Sequence, residues 1–169
     1  SLGLHLLQSP LPQDATAAVL LGCFTAFVPK GRNGRSTQTG LKGMRSALGT
    51  EGEGPMLERF FQRANQPLPL SACPPSPLLK AISAEGRQRL DDDLILLETC
   101  RTLPRGWPSK ARVLVIQGEQ DAVVHPSCHQ QLLDQLGSQV ERIHRGPDWG
   151  HALITTEVLT VVERWIESL

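Results

Sequence analysis

The strongest constraint on the fold is an alternation of strand and helix patterns in the last third of the chain, residues 111–169. The elements predicted there are a Val-Leu-Val-Ile strand over 112–117, a helix over 126–136, a strand over 140–144 and an amphipathic helix over 155–169. Strands that alternate with helices indicate a parallel sheet joined by right-handed crossovers. The predicted fold class is therefore α/β, with helices flanking a parallel sheet.

The beginning of the chain predicts one more strand of the same sheet. The apolar run from Ala17 to Phe24 is bounded by Asp14 and Pro29, and its length suits a strand buried on both faces. A short apolar helix over 2–7 precedes it. Residues 1–29 and 111–169 are accordingly interpreted as one core.

Residues 30–110 differ from this core because they are rich in Gly and Pro. Helices are predicted between the breakers, over Pro55–Ala64, within Pro77–Leu90 and over Asp91–Cys100. Three aspartates, Asp91 to Asp93, would favour the positive N-terminal end of the last helix. Short helices between breakers are typical of a mobile cap, so this segment is interpreted as a helical lid.

The charges are balanced overall but not along the chain. There are 17 Lys and Arg and 17 Asp and Glu, and a net charge of zero argues against bulk attraction to nucleic acid or membranes. No apolar run approaches the ~18 residues of a membrane span. Residues 30–110 hold 13 of the 17 basic and 8 of the 17 acidic residues, so the predicted lid is +5 and the remainder −5.

Candidate catalytic residues stand just beyond the predicted strands, where ligands of parallel sheets bind. Asp121 follows the 112–117 strand and His151 follows the 140–144 strand. Ser1-Leu2-Gly3 matches the second half of the G-x-S-x-G nucleophile elbow, in which a serine stands on a sharp strand-to-helix turn. The chain order Ser, Asp, His also fits that motif.

These residue types predict acyl transfer to a serine. Ser1 would be the nucleophile, and His151 would act as its general base and then as the acid for the leaving group. Asp121 would fix the imidazole tautomer and stabilise the imidazolium, and the backbone N–H of Leu2 would donate to the oxyanion. This chemistry requires neither a metal nor an organic cofactor.

From Ser1 to its C-terminus the chain resembles the α/β-hydrolase superfamily. Within that superfamily it is most similar to the carboxylesterases of biotin synthesis that cleave pimeloyl-acyl-carrier-protein methyl ester. The matching stretches are Ser1-Leu2-Gly3, Ala18 to Phe24, Leu57-Glu58-Arg59-Phe60, Asp93 to Leu97, Gly118 to Pro126 and Gly150-His151-Ala152. The resemblance implies a partial α/β-hydrolase fold with an inserted helical lid, and a cytoplasmic serine carboxylesterase.

The resemblance also implies a partner, because basic lid residues would hold an acidic acyl-carrier protein while an apolar channel takes the acyl chain. Arg59 matches a lid arginine by position, and Arg45, Arg63, Arg87 and Arg89 are candidates by charge alone. The first elbow glycine, the early strands and the loop for a second oxyanion donor have no counterpart in this sequence. We therefore expect the missing N-terminal half of the fold to be required for stability and activity.

Other interpretations stay open. The chain could be another lidded esterase, lipase or C–C hydrolase acting on a free small molecule, or a non-catalytic fragment or binding module. Asp121 could be an ordinary turn residue, and His151 could simply begin a helix. His125 and His129 stand one helical turn apart next to Cys128, but no further ligand completes a metal site, so a solvated helix start is expected there. The four cysteines indicate neither a disulfide scaffold nor a zinc site.

Overall fold

Three parallel strands form the sheet, in the order β1-β2-β3. The computed structural model describes residues 3–6, 15–72, 76, 79 and 81–169. The strands are β1 (Ala17–Leu21), β2 (Arg112–Gly118) and β3 (Val140–Gly146). The helices are α1 (Gly3–Leu6), α2 (Arg32–Ala47), α3 (Glu53–Asn65), α4 (Ala84–Thr99), α5 (Pro126–Leu136) and α6 (Thr156–Ile166), with short 3₁₀ turns at Leu70–Ala72 and Gly137–Gln139.

The central strand β2 organises the core. Its register places Ala17 of β1 opposite Arg112, and Gly146 of β3 opposite Gly118. Side chains alternate between the two faces of a strand. Val113 and Val115 pack against α5 and α1, whereas Leu114 and Ile116 pack against α6. The predicted parallel sheet with helices on both faces is confirmed.

Strand β1 is shorter and less buried than the sequence pattern predicts. The apolar run extends to Phe24, but the strand ends at Leu21. Gly22 adopts a φ of +53°, which takes the chain out of the extended conformation, and its N–H donates to Ile116 O at 2.9 Å. Because β1 lies at one edge of the described sheet, only Leu20 among its residues is fully buried. Both faces do pack, since Leu20 lies in the cluster of α1 and α5 while Val19 and Leu21 pack against the cluster of α6, but the burial is only partial.

Helix α2 forms where the glycines predicted breaks. It contains Gly34, Gly40 and Gly43, which weaken helices by about 1 kcal/mol each relative to alanine. Tertiary packing overrides this cost, because Leu41 of α2 is buried in a cluster with Leu94 of α4 and with Val28, which precedes α2. We use the term lid helices for α2, α3 and α4, which lie between β1 and β2 in the chain.

Helix α4 is one continuous element, which corrects the predicted division into two helices. Ser83 caps it by accepting the Gly86 N–H at 3.0 Å, so the helix begins at Ala84 rather than at Asp91. The three aspartates therefore lie in mid-helix, away from the positive end. Asp91 instead accepts two hydrogen bonds from the Arg45 guanidinium of α2, at 2.7 and 3.1 Å.

In the part of the chain that the structure describes, no helix has both the length and the apolar character needed to cross a membrane.

Candidate active site

Asp121 stands in the loop after β2, with both carboxylate oxygens engaged. Its Oδ1 accepts the backbone N–H groups of Val123 and Val124, at 2.8 and 2.9 Å. Its Oδ2 accepts from Nδ1 of His151 at 2.9 Å. The Asp121 side chain is 2% exposed and that of His151 is 22% exposed. The structure thus brings together two of the three predicted catalytic residues.

The pKa of Asp121 lies below its ordinary value. Burial alone would raise this pKa, but the hydrogen bond and charge of His151 outweigh it, together with the N–H groups of Val124 and Val123. An ionised Asp121 can only accept, so His151 carries its proton on Nδ1. In the neutral imidazole, Nε2 of His151 then has a lone pair that can take a proton from another group.

Glycines allow the two loops to touch. A Cβ atom at Gly118 would overlap the carbonyl oxygen of Trp149, and one at Gly146 would overlap the Trp149 ring. The Glu119 N–H also donates to Gly146 O at 3.0 Å. The loop that carries His151 therefore lies directly on the end of β2, beside the loop that carries Asp121.

The end of β1 completes this arrangement. A Cβ built at Gly22 would lie 3.6 Å from Nδ1 of His151, so the chain after β1 passes next to the imidazole. Helix α1 is attached to the same segment, because His5 donates from Nε2 to Phe24 O at 2.8 Å and stacks on the Phe24 ring. Burial lowers the pKa of His5.

Ser1 and Leu2, the predicted nucleophile and oxyanion donor, lie outside the described residues. Gly3, the third residue of the proposed elbow, begins α1. Leu4 of α1 is buried in the cluster that contains Leu20 and Val113. The assignments of Ser1 and Leu2 stay predictions.

Helix α3 reaches both of the loops that carry Asp121 and His151. Arg63 donates from Nε to the carbonyl oxygen of Ala122, the residue after Asp121. Just beyond the helix, the carbonyl oxygen of Gln66 lies so close to Gly150 that a Cβ atom there would overlap it. The C-terminal end of α3 is thus held against the loops that carry the carboxylate and the imidazole.

The predicted docking arginines occupy different settings. Arg45 pairs with Asp91, and Arg87 pairs with Glu53 through two hydrogen bonds of 2.6 and 2.9 Å. The Arg87 hydrogen bond, aided by the Gly49 N–H, lowers the pKa of Glu53 to about 2. Arg59 is exposed on α3 and forms no ion pair with the described part of the chain. Arg89 is exposed on α4.

The start of α5 differs from the solvated start that was expected. His125 is exposed and caps the helix by accepting the Ser127 N–H, but Cys128 is fully buried and His129 is 8% exposed. Nε2 of His129 lies 3.7 Å from Oδ2 of Asp121. Burial lowers the pKa of His129 to about 4, although the Asp121 charge opposes this.

A helical pattern would have revealed the burial of His129. Leu132 and Leu136 are core residues of α5, and positions one turn before them fall on the same face. Cys128 and His129 occupy those positions. The polar neighbours His125 and Ser127 obscured this face in the sequence.

The structure also shows how the potential metal ligands and the cysteines are arranged. Within the described ranges, no three His, Cys, Asp or Glu side chains are grouped to hold a metal ion. Cys23, Cys100 and Cys128 are buried free thiols.

No protein-family model and no curated protein matches this sequence. Among solved structures, an esterase from Exiguobacterium antarcticum is similar, with a TM-score of 0.59 and 15% sequence identity. The fold is a partial α/β-hydrolase fold. The similarity covers 98% of this chain and 61% of the esterase, so the chain spans about 61% of the length of that protein.

Proposed function

We propose that this protein is a serine hydrolase that cleaves carboxylic esters, with Ser1 as nucleophile, His151 as general base and Asp121 as the residue that orients the base. The observation that carries this proposal is the 2.9 Å hydrogen bond between Asp121 Oδ2 and His151 Nδ1, at the carboxyl ends of adjacent parallel strands. That edge of a parallel sheet is where ligands bind.

The burial of the two side chains supports these roles. A carboxylate that orients an imidazole must stay ionised and fixed, and Asp121 is nearly inaccessible with its other oxygen held by two backbone N–H groups. A general base must reach the reacting group, and His151 is partly exposed, with Nε2 not used by the hydrogen bond to Asp121. The pair fits the acid–base half of a catalytic triad.

The proposed reaction has two steps. The Ser1 hydroxyl oxygen attacks the ester carbonyl carbon while Nε2 of His151 takes its proton, and the Leu2 N–H donates to the oxyanion. The tetrahedral intermediate collapses as His151 gives that proton to the departing alcohol, which leaves an acyl group on Ser1. Water then attacks the acyl carbon, His151 takes a proton from it, and the carboxylic acid leaves as Ser1 regains its proton.

Replacement of Ser1 or His151 tests the reaction. In the natural full-length protein we expect Ser1→Ala and His151→Ala each to lower kcat on a short p-nitrophenyl ester by at least about a thousandfold. The matched control is His125→Asn, which changes an exposed histidine but keeps a helix-capping side chain. Steady-state kinetics on the three purified variants gives the comparison. Turnover by His151→Ala within tenfold of the wild type would contradict the proposal.

We further propose that the ester belongs to an acyl group on an acidic carrier protein, as in pimeloyl-acyl-carrier-protein methyl ester. Arg59 supports this proposal because it is exposed on α3 without an ion-pair partner among the described residues. The same helix contacts both catalytic loops through Arg63 and the chain that follows it. The excess of basic residues in 30–110 complements the negative charge of an acidic carrier protein.

Charge reversal at Arg59 distinguishes carrier-bound from free substrates. Arg59→Glu should raise KM for an ester on acyl-carrier protein by about tenfold, because a docking charge pair becomes repulsive. Turnover of a short free ester should stay within twofold. Arg164→Glu, which reverses an exposed arginine of α6, is the matched control. Equal losses on both substrates would exclude carrier docking through Arg59 and favour a free small-molecule ester.

A further inference from the structure

A second histidine faces the carboxylate of Asp121. Oδ2 of Asp121 accepts from His151 at 2.9 Å, and Nε2 of His129 lies 3.7 Å from the same oxygen. The two imidazoles come from different elements, because His129 belongs to the first turn of α5 and His151 to the loop after β3. The reaction proposed above uses His151 and leaves His129 without a role.

The Nε2 atom of His129 is buried and has no hydrogen-bond partner within the described part of the chain. A buried polar atom without a partner is unfavourable, so its retention needs an explanation. Among the described residues, the groups whose charge acts on this imidazole are Asp121, His151 and Arg145. A lone pair at Nε2 would repel the Asp121 carboxylate, whereas an N–H there is attracted to it.

We propose that His129 is a positioning residue for the Asp121–His151 pair, with its Nε2–H directed at Oδ2 of Asp121. The two N–H groups of Val123 and Val124 hold Oδ1, so His129 and His151 would together hold Oδ2. Rotation of the carboxylate would then break contacts on both oxygens. The catalytic part of this inference rests on the proposed function, but the hydrogen position does not.

His129 suits this task because it is neutral. A second protonated imidazole would pair with Asp121 and reduce the negative charge that stabilises the His151 imidazolium. Burial keeps the pKa of His129 at about 4, so its N–H contributes a dipole but no net charge at neutral pH. An approach from 3.7 Å to hydrogen-bond distance needs a shift of under 1 Å, and such contacts commonly tighten when substrate binds.

The first test needs no substitution and no turnover. Nitrogen-15 NMR of the histidine side chains in the natural protein, between pH 6 and pH 8, reports the protonation of each ring nitrogen. The proposal predicts a neutral His129 with its proton on Nε2. A proton on Nδ1 alone, or a positively charged ring at pH 7, would overturn the proposal. This result does not depend on whether the protein is a hydrolase, because it is measured on the folded protein without substrate.

The second test compares two substitutions at His129. Leucine removes the N–H, whereas glutamine can place an amide N–H near the position of Nε2. His129→Leu should shift the Nδ1 proton resonance of His151 and lower kcat about tenfold with KM within twofold, and His129→Gln should restore most of both. Gln130→Leu, an exposed change on the same helix, is the control.

A purely structural role gives a different result. It predicts a lower melting temperature for both variants, with the His151 resonance and kcat per folded molecule unchanged, and that outcome would overturn the proposal. If His129→Leu does not fold, the Nδ1 proton resonance of His151 in His129→Gln becomes the deciding measurement. The proposal requires that resonance to stay near its wild-type position, and a clear shift would overturn the proposal. If the natural protein hydrolyses no ester, the two NMR measurements still decide the placement of His129.

Discussion

At the scale of single residues, the two oxygens of the Asp121 carboxylate have different partners. Oδ1 is held by the backbone of its own loop, and Oδ2 contacts imidazoles from two other elements. The carboxylate is ionised because these groups together outweigh its burial. His151 is thereby held through Nδ1 and is partly exposed, whereas His129 is buried with a pKa lowered to about 4.

The neutral state of His129 predicts a pH dependence of folding stability. In the unfolded chain an imidazole binds a proton below pH 6.5, but in the folded protein His129 binds one only below about 4. The unfolded state therefore takes up protons first, and stability falls as the pH drops from 6.5 towards 4. At 1.36 kcal/mol per pKa unit, the loss from His129 is roughly 3 kcal/mol.

Urea unfolding at pH 7 and pH 4.5 measures this contribution. His129→Leu should lose less stability between the two pH values than the wild type does. His5, whose pKa is also lowered, contributes in the same direction and is unaffected by the substitution. Glu53 and Asp121 have pKa values below their ordinary range, so their contributions are lost mainly at lower pH. The same loss in both proteins would show that His129 is not buried in its neutral form.

At the scale of elements, α3 connects the lid helices to the loops that carry Asp121 and His151. The Arg63 side chain holds the carbonyl group of Ala122, and the end of the helix covers Gly150. The lid helices are tied to one another by two bidentate ion pairs, Arg45 with Asp91 and Arg87 with Glu53. Helix α4 is thus linked through α3 to the loop that carries Asp121.

Removal of the Arg63 contact should loosen that loop. In Arg63→Met, the amides of Val123 and Val124 should exchange with deuterium at least several-fold faster, and kcat/KM on a short ester should fall several-fold. The change in unfolding free energy should stay within about 1 kcal/mol, the usual value of one hydrogen bond. Arg59→Met, one helical turn earlier on α3, is the control and should leave both amides unchanged. Equal exchange in the two variants would contradict this coupling.

At the scale of the whole molecule, the parts built on regular periodicity were predicted best. The Val-Leu-Val-Ile strand and helix α5 occupy nearly the residues that their patterns indicate, because apolar side chains recur there at one strand or helix period. Helix α2 was missed because its stability comes from packing around Leu41, which outweighs its glycines. Asp121 and His151 were found from their places after neighbouring strands. His129 was missed because its partner lies eight positions earlier in the chain, across a turn that brings the two side chains together.

The net charge of the whole chain is zero, but its two parts carry opposite net charges. Residues 30–110 are basic and the remainder is acidic. Part of the basic charge is matched inside the lid helices by Glu53 and Asp91. Arg59 is exposed and outside these pairs, which makes it the arginine at which a docking partner is best tested.

Covalent labelling of Ser1 tests the proposed hydrolase most directly. A fluorophosphonate reacts with a serine only when a neighbouring base activates its hydroxyl group. We expect mass spectrometry of the labelled natural protein to locate the adduct on Ser1, and His151→Ala to abolish labelling while His125→Asn retains it. An adduct on another residue, or undiminished labelling of His151→Ala, would contradict a mechanism in which Ser1, His151 and Asp121 act together.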